Sequence, residues 1–310
     1  MHKLFILFKF YHFKILIIIF RNVYFIIMQK FFKKESLVAN VYDYKMHIPL
    51  KYDGIGKVLY CLGGRELDHK WMIDKIVKQG DTILDLGVNI GYYAIMEAKK
   101  MKGIGKIYAI EPDPRNIEFL KKNIILNNIE NLIEFEQGAI SNKNGEAEFI
   151  LSNKTNLNAF ALEEKNSSAI NVSLYDFGDY LKNKDRIDLV RMDIEGHEIE
   201  VFESLYNFWQ KKPNMIPKKI IFETHLKVYK KSKKMAEILE KLFFIGYSIQ
   251  YLSSSSEDTT LLKEFGYQPF KVLKDYPFIR GIYKNIKKQD VIKLITDTGG
   301  VRTVVLSLNK

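Results

Sequence analysis

The chain has 310 residues, enough for one large α/β domain with extensions or for two small domains. Its single cysteine, Cys61, excludes an intramolecular disulfide and a metal site built from cysteines. The formal net charge is +11, but residues 1–34 contain seven basic side chains and no acidic one, which leaves +4 for the rest. Because the excess lies at one end, we expect no nucleic-acid partner.

Residues 1–34 are apolar, aromatic and basic. Their longest uninterrupted apolar runs, residues 15–20 and 23–28, have six residues each, whereas a spanning helix needs about 20. Three basic residues fall on one face of a helix that turns by about 100° per residue: Lys3, Lys14 and Arg21. We favour a helix lying in a membrane interface over a spanning one; a helix packed on the rest of the protein or on a partner chain is the alternative. The single cysteine fits a reducing compartment, so we expect a cytoplasmic protein, with a peripheral place at the inner membrane face as an option.

Residues 35–80 are predicted to form strands and a helix that lead into a core domain. The segments "SLVANVYDYKMHIPL" and "KVLYCL" alternate as short strands do. The segment "RELDHKWMIDKIVKQGD" has helical spacing and ends at Gly80.

The core domain is predicted over residues 81–284. Strands are expected at "TILDLG", "GKIYAIEPD", "NLIEFEQGAI", "GEAEFIL", "IDLVRM" and "KKIIFETH". Helices are expected at "YYAIMEAKKM", "PRNIEFLKKNIILNN", "IEVFESLYNFW" and "KMAEILEKLFFIG". The later segments "YSIQYL", "TLLKEF" and "FIRGIYKN" are mostly strand-like, as is "GGVRTVVLSL" in a C-terminal extension of residues 285–310. This alternation predicts an α/β fold with a mostly parallel central sheet, helices on both faces and small β extensions.

The stretch "DLGVNIG", Asp85 to Gly91, lies where a strand ends and a helix begins, which is where open parallel sheets bind ligands. It is not a dinucleotide fingerprint, because Asn89 and Tyr92 stand where the second and third glycines would be. A carboxylate at the end of the next strand, Glu111, suits two ribose hydroxyls. Asp85 suits an ammonium group, directly or through water. Together these two acids indicate S-adenosylmethionine; the alternative for Glu111 is a solvated strand-end residue.

Five segments in order resemble the FkbM-type S-adenosylmethionine-dependent methyltransferases: "GDTILDLGVNIGYY", "IYAIEPDPRNIEFLKKNIILNN", "QGAIS", "IDLVRMDIEGHEIEVFESL" and "IIFETH". The resemblance covers about residues 60–250, and "DIEGHE" is its most specific segment. It implies the class I Rossmann-like methyltransferase fold and mostly O-methylation of hydroxyls on sugars or secondary metabolites. Val88 and Arg191 are conservative departures from the family pattern.

The resemblance also implies roles for individual residues. The methionine part of the cofactor would be framed by Asp85, Gly87, Asn89 and Gly91. Glu111 would hold the ribose, Ala139 would lie by the adenine, and Asp193 would face the sulfonium. Glu66 resembles an acid that closes over the cofactor, and Asn116 matches a family position without an assigned role.

Candidate bases for the acceptor hydroxyl follow two neighbouring strands: Asp193, Glu195, His197 and Glu198, then Glu223 and His225. His225 is the first choice, because an imidazole near its ordinary pKa suits proton removal at neutral pH. The catalytic set is Asp193, Glu195, Glu223 and His225. A divalent metal held by the same four residues is the alternative, and we favour the metal-free site. His197 at a solvated helix start and Glu198 as a helix cap are the structural alternatives.

The expected acceptor is a small molecule or glycan, such as a hydroxyl on a glycan, a lipid-linked sugar or a secondary metabolite. An amine acceptor with the same cofactor is one alternative. A non-catalytic scaffold that retains the fold is the other, because a fold does not guarantee an activity.

Overall fold

The computed structural model describes residues 15–51, 55–151, 159–160, 168–255, 259–275 and 278–308. Lys3 and Lys14, predicted to share one helix face with Arg21, lie outside these ranges. Where the chain is described, no helix has the length and apolar character needed to cross a bilayer.

The first elements pack as a layer against the core. They are helix α1 (Ile15–Lys30), strands β1 (Ser36–Val41) and β2 (Tyr44–Pro49), and helices α2 (Gly56–Leu62) and α3 (Leu67–Ile76). Strands β1 and β2 form an antiparallel hairpin. The prediction of a strand at "KVLYCL" is wrong, because these residues form α2. Six alternating residues do not separate a strand from a short helix, and Gly63, at φ 75°, ends this helix with its N–H donating to the Leu59 carbonyl.

The next elements alternate as predicted. They are β3 (Thr82–Leu86), α4 (Tyr92–Met101), β4 (Lys106–Glu111), α5 (Pro114–Leu126) and β5 (Ile133–Gln137). The start of α5 follows from its sequence, because the Asp113 carboxylate accepts from the Arg115 N–H and Pro114 occupies the first turn. A small second sheet follows, made of β6 (Ala139–Ser141), β7 (Gly145–Leu151), β8 (Ala159–Phe160) and β9 (Ser168–Asp176). Its order is β6-β9-β7-β8.

The remaining elements complete the large sheet and its cover. They are α6 (Phe177–Tyr180), β10 (Leu189–Met192), α7 (Glu198–Lys211), a 3-10 turn (Pro213–Met215), β11 (Lys219–Glu223), α8 (Leu226–Tyr229), α9 (Lys234–Phe244), β12 (Tyr247–Ser254), α10 (Thr259–Glu264), β13 (Lys271–Asp275), β14 (Phe278–Tyr283), α11 (Lys288–Lys293), a π-helical turn (Leu294–Thr298) and β15 (Val301–Leu308). The segment "TLLKEF" is helical in α10, so its strand-like prediction is wrong.

The large sheet has nine strands in the order β13-β14-β12-β15-β11-β10-β3-β4-β5. Strands β11, β10, β3, β4 and β5 run parallel, and the four strands beyond β11 pair antiparallel. The strand order reverses between β3 and β10, so their carboxyl ends border a switch point. The predicted parallel core is confirmed. The predicted boundaries at residues 80 and 284 stay predictions, although β15, from the predicted extension, lies inside this sheet.

The hydrophobic core has two parts, one on each face of the sheet. Successive residues of a strand alternate between them: Ile83 and Ile107 belong to one, Leu84 and Tyr108 to the other. The first part includes side chains from α1 to α5, and the second includes side chains from α7, α9 and α11. Helices therefore cover both faces, as predicted.

Candidate active site

A cavity of about 230 Å³ opens at the carboxyl ends of the parallel strands. Its wall includes Leu86 at the end of β3, Glu111 at the end of β4, Asp193 after β10 and Glu223 at the end of β11. Arg302 on β15 closes one side. The cavity therefore lies at the switch point of the sheet, where the fold places ligands.

The glycine turn forms one edge of this cavity. Gly87 has φ 73°, and a Cβ there would lie 2.2 Å from the Asp193 carbonyl oxygen, so only glycine fits. Asn89 also has a positive φ, 53°, and its side-chain oxygen accepts from the Ile90 N–H at 2.8 Å. Gly91 at φ 91° precedes α4, and a Cβ there would meet Leu120 at 2.8 Å. Gly87 and Asn89 thus bring the backbone of this turn to the cavity wall, whereas Gly91 is not among the residues that line it.

Glu111 is buried but faces the cavity. Its carboxylate accepts from the Asn89 N–H at 2.8 Å, the Asp113 N–H at 3.1 Å and the Asn116 side-chain amide at 3.0 Å. Burial raises the pKa of Glu111 to about 7, although these three donors oppose the rise. Asn116, which the sequence left without a role, thus positions this carboxylate.

Asp85 does not reach the cavity wall. Its carboxylate is fully buried, and one oxygen accepts from Arg191 Nη1 at 3.1 Å. Arg191 also donates to the Gly87 carbonyl at 3.0 Å and lies 3.4 Å from Asp193 Oδ2. The structure thus places a guanidinium between Asp85 and the cavity. The cavity wall therefore presents the guanidinium of Arg191 and not the oxygens of Asp85.

A second buried acid, Glu97 on α4, lies near the same pair. Both of its oxygens lack a hydrogen-bond partner among the described residues. Burial, with the negative charge of Asp85, raises the pKa of Glu97 well above its ordinary value. Burial therefore disfavours the charged form of Glu97, and the contacts of Arg191 at 3.1 Å and 3.4 Å go to Asp85 and Asp193.

Glu66 also lines the cavity. It is the residue just before α3 and has a left-handed backbone conformation, with φ 55°. It pairs with Arg65, accepts from the Tyr93 hydroxyl, and receives Arg302 Nη2 at 2.5 Å. Burial alone would raise the pKa of Glu66, but the two arginines hold it well below its usual range. Glu66 is thus ionised and held in place on the cavity wall.

Glu223 is joined to the same arginine. Arg302 meets it with two nitrogens, each 2.9 Å from a different carboxylate oxygen. Burial, with the neighbouring Asp193, raises the pKa of Glu223 to about 8. Arg302 therefore bridges Glu66 and Glu223 across the cavity.

His225 lies among carboxylates. Its Nε2 is 3.5 Å from Glu195 Oε2 and 3.9 Å from Asp193 Oδ1, and its Nδ1 is 3.2 Å from Glu198 Oε1. The last contact has ion-pair distance, although Nδ1 has no aligned hydrogen-bond acceptor. Burial would lower the pKa of His225, but Glu198 and the other acids raise it to about 10. The first-choice role of His225 as general base stays a prediction, and this raised pKa weighs against it, because a protonated imidazole cannot accept a proton.

Glu195 is the half-exposed acid beside His225. Its backbone has φ 54°, a strained conformation for a residue other than glycine. Burial, with the charge of Asp193, raises the pKa of Glu195 to about 7. A carboxylate with this pKa is suited to accepting a proton near neutral pH.

The other predicted residues also have defined places. Ala139 is buried on the cavity wall. His197 lines the cavity, with Nε2 3.1 Å from Ser141 Oγ, and burial lowers its pKa to about 4. Glu198 is fully buried and accepts from the Tyr229 hydroxyl at 2.8 Å, so it holds His225 in addition to starting α7.

A metal ion has fewer candidate ligands than the sequence indicates. Ligand atoms of Asp193, Glu195 and His225 lie within 4.8 Å of one another. Glu223 is instead occupied by Arg302. The donor set of two carboxylates and an imidazole fits a divalent cation that displaces the proton of His225. The preference for a metal-free site stays a prediction.

The sheet order, with its switch point between β3 and β10, is that of the class I methyltransferase fold, the fold of S-adenosylmethionine-dependent methyltransferases. The family model described as the methyltransferase FkbM domain matches residues 85–249, and the chain belongs to this family. The predicted fold and family are thereby confirmed.

The chain is similar to several methyltransferases of known sequence or structure. Ribosomal protein L11 methyltransferase of Anoxybacillus flavithermus is 32% identical over 82 residues, 26% of each chain. A solved FkbM methyltransferase from Methylobacillus flagellatus is 15% identical with a TM-score of 0.40, over 56% of this chain and 40% of that one. The tRNA m1G37 methyltransferase of M. jannaschii is 13% identical with a TM-score of 0.41, over 89% and 58%. The chain thus spans about a quarter of the length of the curated relatives it matches.

The expectation that excluded nucleic acid as a partner does not hold; a tRNA methyltransferase is among the solved structures to which the chain is similar. The expectation rested on net charge, and a small net charge does not exclude a local basic surface. Nucleic acid belongs among the acceptors to be tested.

Proposed function

We propose that this protein transfers a methyl group from S-adenosylmethionine to a hydroxyl of a glycan, a lipid-linked sugar or a secondary metabolite. The observation that carries the proposal is Glu111, a buried carboxylate on the cavity wall at the end of β4, fixed by three donors. An acid in this place offers acceptors to two ribose hydroxyls.

The cavity fits the cofactor in three respects. Gly87 admits no side chain, so the backbone of the turn is free to approach a ligand. Ala139 leaves room on the side where the adenine ring would lie. With every group counted in its ionised form, the wall carries five acids, Glu66, Glu111, Asp193, Glu195 and Glu223, against three arginines, Arg65, Arg191 and Arg302. This excess of acids favours a ligand with a positive centre.

Bound S-adenosylmethionine would supply a methyl group on a positively charged sulfur. The protein has to align the acceptor hydroxyl and take up its proton. We assign the proton to Glu195, because its carboxylate lines the cavity and has a pKa of about 7. The charged His225 holds Glu195 and Asp193 on one side, and Arg302 holds Glu223 on another.

Binding is the first test. Calorimetry with S-adenosylmethionine should give heat for the unaltered protein, and Glu111→Ala should weaken binding by roughly 10–100-fold, because a charged hydrogen-bond partner is lost. Glu130→Ala, at an exposed acid far along the same strand–helix unit, is the control. No binding by the unaltered protein would refute the proposal.

The acceptor needs a second test. Cell extract from a strain that lacks the gene is incubated with the protein and methyl-labelled cofactor, and the products are fractionated. A base-stable methyl ether in glycan or lipid supports the proposal. Label on an amine, or label that ribonuclease releases, contradicts the proposed acceptor but retains methyl transfer. The Glu195→Gln variant should bind the cofactor and lose about 10²-fold or more in rate.

A further inference from the structure

The outer side of helix α1 carries an apolar stripe, the α1 stripe, formed by Leu16, Phe20, Val23 and Ile27. These positions are spaced four, three and four apart, so they lie on one face of the helix. Their side chains are 75%, 71%, 50% and 36% exposed. Phe31 and Phe32, just beyond the helix, are exposed as well.

The opposite side of α1 is fixed to the protein. Ile18 and Phe25 are buried, and the ring centre of Phe25 lies 5.8 Å from that of Tyr60 on α2. A helix that is apolar all round is normally covered on all sides. Because α1 is anchored through its inner face, a rotation cannot bury the α1 stripe without exposing Phe25.

Three exposed lysines, Lys30, Lys33 and Lys34, lie at and just beyond the C-terminal end of α1, where the stripe ends. They belong to a segment, residues 1–34, that contains no acidic residue. The next acid, Glu35, is 3.1 Å from Lys122 of α5. The segment therefore contains no carboxylate side chain that could pair with these lysines, and an anionic partner would have to come from outside it.

We propose that the α1 stripe and its basic neighbours form a docking surface for an anionic membrane, with α1 lying in the plane of the interface. An apolar face flanked by Lys and Arg has the composition of an interfacial helix. A second copy of this chain fits less well, because it would bring two segments of the same charge together. Leu59 of α2 lines the cavity, so the membrane surface would lie roughly one helix diameter, about 10 Å, from the site. The proposal does not depend on methyl transfer.

Vesicle sedimentation with the full-length protein tests this. The protein should sediment with vesicles of phosphatidylcholine and phosphatidylglycerol about tenfold more strongly than with phosphatidylcholine alone, and high salt should reverse the difference. Combining Leu16→Ser, Phe20→Ser and Val23→Ser should lower binding by about tenfold or more. Its matched control combines Ile104→Ser, Ile125→Ser and Phe244→Ser, which are equally exposed elsewhere, and should bind as the unaltered protein does.

Charge is tested separately. Combining Lys30→Gln, Lys33→Gln and Lys34→Gln should remove most of the preference for anionic vesicles, whereas Lys143→Gln, Lys182→Gln and Lys211→Gln together should not. An unchanged urea-unfolding transition shows that each variant is folded, whether or not the protein binds S-adenosylmethionine. Absence of sedimentation with anionic vesicles overturns the proposal. The proposal is also overturned if the unaltered protein is a dimer in solution and only the triple variant of the α1 stripe is a monomer. In that case a second copy of the chain covers the stripe.

Discussion

Nδ1 of His225 lies 3.2 Å from Oε1 of Glu198, a carboxylate that is entirely buried. Glu198 also accepts from the Tyr229 hydroxyl and, at 3.2 Å, from the Ile194 N–H. Burial alone would raise the pKa of Glu198, but the positive charge of His225 and the Tyr229 hydroxyl hold it below its usual value. The pair therefore places a fixed positive charge, on Nε2, toward Asp193 and Glu195.

Replacing Glu198 with glutamine should lower the pKa of His225 from about 10 toward the ordinary value near 6.5, because the nearest negative charge is removed. The measurement is an NMR titration of histidine-labelled protein, with His225→Asn to assign the signal. Tyr229→Phe is the control, because it removes a hydrogen bond to Glu198 and leaves the charge. A His225 that titrates near 6.5 in the unaltered protein would contradict this account.

The same pair predicts how stability depends on pH. The folded-state pKa of His225 lies above its ordinary value, so its stabilising contribution is complete below about pH 6.5 and is lost as pH rises toward 10. Urea unfolding across this range should show a smaller loss for His225→Asn than for the unaltered protein. Equal losses would mean that other groups cause the decline.

Cofactor affinity should rise with pH through about 7. Glu111 has a pKa of about 7, and ribose hydroxyls donate to its ionised form. Below that pH, affinity should fall by up to about tenfold per unit. Glu195 and Glu223 have similar pKa values, about 7 and about 8. The contribution of Glu111 is therefore the part of the pH dependence of affinity that disappears in the Glu111→Gln variant, as measured by calorimetry. An unchanged slope in this variant would exclude Glu111 from the contact.

Sequence reasoning located the parts of the site that follow from local order. Gly87 and Glu111 stand at the ends of two consecutive parallel strands, and such ends meet at one edge of a sheet. The strand-end rule also placed Asp193 and Glu223. The rule does not predict the orientation of Asp85. Its carboxylate accepts a hydrogen bond from Arg191 on the adjacent strand β10 and does not line the cavity.

Arg302 shows why the rest was missed. Arg302 forms an ion pair with Glu66, which lies 236 positions earlier in the chain. The two residues meet because β15 lies between β11 and β12 in the sheet. No local pattern signals that a C-terminal strand returns to the centre of a sheet. Tyr229 and Glu97 likewise acquire their roles only from helix packing. The raised pKa of His225 depends on the positions of three carboxylates, Glu198, Asp193 and Glu223, which spacing alone does not give.

Arg302→Gln should lower the free energy of unfolding by about 3–5 kcal/mol, because Glu66 and Glu223 lose a buried partner. Lys122→Gln is the matched control: Lys122 also contacts two acids, Glu35 and Glu118, but on the surface. Its cost should stay below about 1 kcal/mol. Urea denaturation measures both. Similar losses in the two variants would mean that Arg302 is not the link between β15 and the cavity wall.

Gly87→Ala should damage both folding and cofactor binding, and Gly80→Ala isolates the cause. Both glycines have positive φ, 73° and 85°, so each alanine costs about 1–2 kcal/mol of backbone strain. At Gly80 nothing lies within 4 Å of the added methyl group, whereas at Gly87 it would lie 2.2 Å from the Asp193 carbonyl oxygen. Moving Asp193 should cost about 1–3 kcal/mol more and misplace the residue beside the acceptor. Urea unfolding and calorimetry with S-adenosylmethionine should therefore separate the variants, with affinity retained in Gly80→Ala and reduced in Gly87→Ala. Equal effects on both would show that strain, and not the close approach of β3 and β10, makes glycine necessary.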